Sequence, residues 1–136
     1  MSRVLTRAVL ALSGALLGSI GGAILVSPTA FLAMSHVVID NDPGLLSELT
    51  APSVMLILTG ALMILGALRT RFANLALSAG ALVYGSYGVG RLVSMALHGL
   101  PSQSLIVAAV VELAVAAVLV ALRLNAQRRR LSKPVL

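Results

Sequence analysis

The chain has 136 residues, 59% hydrophobic and 10% charged, with a formal net charge of +6 and neither Cys nor Trp. A soluble domain carries about 25% charged residues, so a globule of this composition lacks the polar surface that keeps a protein in water. The missing cysteines exclude disulfides, thiolate metal sites and thiol nucleophiles, and four Asp/Glu with two His leave little for acid–base catalysis.

A helix needs roughly 20 mostly apolar residues to cross about 30 Å of hydrocarbon. Four stretches meet that length: about 8–26, 51–68, 73–97 and 103–122. None alternates polar and apolar residues as a strand would, and lipid demands that backbone groups pair within the segment. The expected fold is an all-α integral membrane protein, a single domain over 1–136 forming an antiparallel four-transmembrane-helix bundle. The first span follows Arg3 and Arg7, as a signal peptide would. Its uncharged run exceeds the usual signal core, and Pro28 fits a cleavage site poorly, so it is read as a retained span.

After the first span, Pro28 interrupts the helix. Phe31 to Met34 then reads as an apolar turn at the interface, with Phe31 and Phe72 as anchors at opposite membrane faces. Asp42-Pro43 predicts an N-cap and first helical residue of a short helix reaching Leu49. Thr50 is expected to cap the second span, with Pro52 in its first turn. Arg69 to Phe72 predicts a tight link between the second and third spans. Gly99 predicts a helix stop and Ser102 the next N-cap.

Nine of the 10 basic residues fall on one side of these spans: Arg3, Arg7, Arg69, Arg71, Arg123, Arg128, Arg129, Arg130 and Lys133. The other side carries Asp40, Asp42 and Glu48 and no Lys or Arg. The positive-inside rule then predicts a multi-pass protein of the inner (plasma) membrane with both termini cytoplasmic. The pI of about 11.5 therefore reports topology rather than nucleic-acid binding, and the basic tail suits anionic lipid. Gly14, Gly18 and Gly22 recur every four residues and predict a close-packing face on the first span, within a bundle or at a homodimer seam. Gly88 and Gly90 also read as packing glycines.

Two charges fall inside spans, Arg91 in the third and Glu112 in the fourth. Such residues face the bundle interior and pair. Arg91 precedes Ser102 by eleven positions and Glu112 follows it by ten, so both stand at similar depth and an ion pair is expected. On the third span Tyr84, Tyr87, Arg91, Ser94 and His98 fall on one narrow stripe at 100° per residue. Together with Glu112 they form a candidate pocket opening outward, with Arg91 as an anion or carbonyl clamp. The alternative is a structural salt bridge with Tyr and Ser filling leftover hydrogen bonds. His36, His98, Asp40, Asp42 and Glu48 show no recognised metal-ligand spacing, so no metal, cofactor or catalytic residue is expected.

Gly90-Arg91, Gly99-Leu100-Pro101-Ser102 and Glu112, followed by an apolar run and a basic end, carry a resemblance, to which Pro28 and Glu48 also conform. The chain resembles the domain of unknown function 4345 family, bacterial four-helix membrane proteins akin to the DoxX-like group. That resemblance implies a fold and no activity. The leading functional expectation is a non-enzymatic bundle that binds or supports a lipid, an anionic headgroup, a second copy of itself or another membrane protein. Alternatives are a small-solute or proton-coupled transporter and a lipid- or quinone-acting membrane enzyme, with scarce aromatics and a charge-free first span against the former.

Overall fold

The computed structural model describes residues 3–131, with side chains as far as Arg128. Arg129, Arg130 and Lys133 of the basic tail thus have side chains outside the described residues. The elements in chain order are α1 (Arg3–Val26), α2 (Pro28–Ala33), α3 (Pro43–Leu68), α4 (Thr70–His98) and α5 (Gln103–Leu131), and no strand occurs among the described residues.

The boundaries follow local chemistry. Ser27 separates α1 from α2, which begins at Pro28. The Asp42 side chain accepts a hydrogen bond from the Leu45 amide at 2.8 Å, capping α3 with Pro43 in its first turn. α3 then runs unbroken through Thr50 and Pro52, which corrects the expected break at Thr50. Its hydroxyl bonds the Ser47 carbonyl instead of capping a new helix. A single residue, Arg69, separates α3 from α4. α4 ends where Gly99 adopts a φ of 90°, a backbone conformation suited to glycine, and gives its N–H to Met95 at 3.0 Å. Ser102 precedes α5, but its hydroxyl donates to the Ser35 carbonyl at 2.9 Å. That bond ties the α4–α5 link to the segment after α2.

Consecutive long helices pack in opposite directions. On α1, Gly14 lies against Gly60 and Met63 of α3, whereas Gly21 lies against Ser53 and Leu56. A Cβ on Gly14 would stand 2.8 Å from the Gly60 carbonyl oxygen, and one on Gly60 would stand 2.6 Å from that of Gly14. Backbones approach this closely only where both lack side chains. The expected face of Gly14, Gly18 and Gly22 needs correcting in part. Gly18 touches α3 by its backbone while its Cβ direction is open, and Gly22 meets nothing. The close-packed pairs recur at seven-residue spacing, Gly14 with Gly60 and Gly21 with Ser53, because α3 follows one face of α1 as a long-pitched seam.

The substantial packings are α1 on α3, α3 on α4 and α4 on α5, while α1 touches α4 and α5 only slightly. The core lies towards the Arg69 end, where Leu10, Met63, Leu77 and Leu119 are fully enclosed. On α4 the buried residues are Ala76, Leu77, Gly80, Val83, Tyr84 and Gly88. Beyond Gly88 none of its residues is buried.

α1, α3 and the Gln103–Arg128 part of α5 are long and apolar enough to cross a membrane. α4 falls short of that measure, so three of the four expected spans meet it. Its two tyrosines, three serines and Arg91 dilute its apolar content. Exposed mid-helix side chains are nonetheless apolar on every long helix, including Leu12, Leu58, Leu82 and Val110. A surface of that kind suits lipid.

Candidate functional site

Arg91 and Glu112 meet across the α4–α5 contact. Arg91 Nε donates to Glu112 Oε2 at 2.8 Å and Nη2 donates to Oε1 at 3.1 Å, a side-on bidentate pair. Two parallel bonds fix the guanidinium plane as well as its position. The approach depends on a close helix crossing one turn away, where Gly88 packs against Leu113. Arg91 stands eight residues before Gly99 and Glu112 nine after Gln103, so at 1.5 Å per residue both lie about 12–14 Å inside their helix ends.

The pair is not sealed. The Arg91 side chain is 30% exposed and that of Glu112 16%. Arg91 also lines an open hollow of about 370 Å³ along α4, together with Ser86, Tyr87, Gly90 and Ser94. Nη1 makes no hydrogen bond to the described residues, so donors remain for whatever fills the hollow. The Tyr87 ring packs against the core.

The polar stripe divides. Tyr87, Arg91 and Ser94 line the hollow. Tyr84 leaves the expected pocket: it is buried and donates its hydroxyl to the Ser13 carbonyl of α1 at 2.7 Å. A phenol in the core must find an acceptor, and α1 supplies one at that level. Tyr84 therefore pins α4 to α1. His98 is exposed in the last turn of α4 and is not among the lining residues. Glu112 reaches the site through Arg91.

Ser86 and Gly90, which lie outside the expected pocket, also line the hollow. Their spacing with Ser94, every fourth residue, was the available signal. Gly88 does pack, against Leu113, but a Cβ on Gly90 would meet nothing within 4 Å. Gly90 is thus a gap in the helix surface rather than a packing glycine. His36, Asp40, Asp42 and Glu48 are exposed, and no three His, Asp or Glu among the described residues come together as metal ligands. At the opposite end Arg123 Nε donates to Ser78 Oγ at 2.9 Å, and the Arg71 guanidinium lies 4.6 Å from the Phe72 ring centre.

No curated protein and no solved structure matches the chain. A family model described as domain of unknown function (DUF4345) matches residues 5–123. The match takes in α3 and α4 whole, most of α1 and α5, the ion pair and the hollow, and the chain belongs to that family.

Proposed function

We propose that the protein is a four-span protein of the inner membrane that binds an anionic lipid headgroup through Arg91 in the outward half of the bilayer. α4 counts as the fourth span because it packs antiparallel between α3 and α5, both apolar enough to cross. A helix held between two such neighbours shares their environment. Its open flank carries Leu82, Val89, Leu92 and Leu97 towards lipid. The basic residues at the Arg69 end support a cytoplasmic setting for that end and for both termini.

One observation carries the binding assignment. Arg91 is held by two hydrogen bonds to Glu112 yet lines an open hollow that begins at the edge of the core. An ion pair serving packing alone would be expected to close on its neighbours. Guanidinium donors beside the hydroxyls of Tyr87 and Ser94 suit the oxygens of a phosphate or carboxylate, whereas the Ser86 hydroxyl donates to the Leu82 carbonyl at 2.6 Å.

Native mass spectrometry of detergent-extracted protein tests this reading. The wild type is expected to retain phosphatidylglycerol in preference to phosphatidylcholine. Gly90→Leu should abolish the preference by filling the hollow, since its new side chain starts in open space. Arg91→Gln should abolish it by removing the donor. Retention by both variants at the wild-type level would remove the binding site.

A further inference from the structure

The guanidinium that lines the hollow already holds an anion. Its Nε–Nη2 edge is taken by the Glu112 carboxylate, so Arg91 and Glu112 are neutral as a unit. The Nη1–Nη2 edge remains, and a phosphate or carboxylate can dock there end-on. Two anions would then flank one cation, leaving a net negative charge inside the helix ends. Uncompensated charge in low dielectric is costly, and a group that can neutralise itself does so.

The groups able to respond are few. On α4 Arg91 pairs with Glu112, and the tyrosines of the same helix are Tyr84, hydrogen-bonded to Ser13, and Tyr87. α1 carries no ionisable side chain from Ala8 to Val26, and α3 none from Leu49 to Leu68. On α5 the next charge after Glu112 is Arg123. A phenol can only lose a proton, which would deepen the negative charge. His98 can gain one, but it is exposed in the last turn of α4 and does not line the hollow, so at the pair itself the carboxylate of Glu112 is the group that can.

Resting on the reading that the hollow takes an anionic headgroup, we propose that binding at Arg91 is accompanied by uptake of one proton on Glu112. The carboxylate becomes a carboxylic acid, its charge being replaced on Arg91 by that of the ligand. No other bond forms or breaks. Glu112 is then the resident occupant of the cation, holding Arg91 in place while the hollow is empty and yielding its charge when the ligand arrives.

The linkage sign follows. The bound state carries one more proton than the free state, so association strengthens as pH falls, by at most tenfold per pH unit for one proton. The test uses full-length protein in phosphatidylcholine vesicles with trace spin-labelled phosphatidylglycerol, whose phosphodiester stays ionised from pH 5 to 8. The fraction of motionally restricted label reports association. For the wild type it should rise on acidification. Glu112→Gln, neutral at every pH, should bind more tightly than wild type at pH 8 and show no pH dependence. Glu112→Asp, which keeps a titrating carboxyl, should retain the dependence. A flat wild-type profile, or a Gln variant that keeps the wild-type slope, overturns the coupling.

Failure of the binding reading looks different. There the phosphatidylglycerol label would be restricted no more than a phosphatidylcholine label at any pH, and Gly90→Leu would change nothing. Added glycerol 3-phosphate separates a free phosphate ligand, which it would displace along with the label, from an intact lipid, which it would leave in place. In either case the slope with pH decides the coupling.

Discussion

A carboxylate stranded in hydrocarbon is worse for a fold than no charge there at all. Arg91→Ala would leave Glu112 in that position, whereas Arg91→Leu with Glu112→Leu would remove both charges. The single variant is expected to lose about 1–3 kcal/mol of stability, reduced from the fully buried range because the pair is partly exposed. The double variant should lose less, and unfolding in mixed detergent micelles reads the order directly. A double variant less stable than the single one would refute the argument. Tyr84→Phe belongs at the same scale: losing the hydroxyl bond to the Ser13 carbonyl should cost about 1 kcal/mol. The Arg91–Glu112 pairing was legible in the sequence because helix periodicity and a short link fix depth and facing together. The fate of Tyr84 was not, since a stripe on one helix does not reveal which neighbour covers each of its turns.

At the scale of the element, the α1–α3 seam is the most sensitive contact. The Cβ introduced by Gly60→Ala would stand 2.6 Å from the Gly14 carbonyl oxygen, and backbone cannot swing aside as a side chain can. Overpacking of this kind costs about 1–3 kcal/mol. Gly22→Ala, whose Cβ meets nothing within 4 Å, should be neutral. Thermal unfolding of the two variants side by side should separate them by several degrees, and equal behaviour would show that the seam is loose. The sequence marked α1 as a close-packing helix through its glycines. It could not choose Gly21 over Gly22, because that choice depends on the path of α3. The α3 cap at Asp42 was legible, being purely local chemistry. The continuity of α3 through Pro52 was not, because Pro near a helix start and Pro within a helix look alike in a sequence.

For the whole molecule, the decisive quantity is which end faces which compartment. The segment after α2 and the α4–α5 link share one end, joined by the Ser102 hydroxyl on the Ser35 carbonyl. The α3–α4 turn at Arg69 lies at the other end, with the Arg123–Ser78 contact near it. The basic residues crowd this second end while the first carries Asp40, Asp42 and Glu48, an asymmetry that sets orientation during insertion. The chain has no native cysteine, so single cysteines can be placed without background. Asn41 and Leu100 are exposed at the first end, and Thr70 and Gln127 at the second. Substituting these four leaves every basic residue, and hence the orienting signal, intact. A membrane-impermeant maleimide applied to intact spheroplasts should label the Asn41→Cys and Leu100→Cys variants. The Thr70→Cys and Gln127→Cys variants should react only after the membrane is opened. Labelling of Thr70→Cys from outside together with Asn41→Cys would mean that α3 does not cross, and the four-span reading would fall. Full inversion of the pattern would keep the spans and reverse the orientation. The hollow beside Arg91 would then face the cytoplasmic leaflet, and the proposed headgroup would have to come from that side.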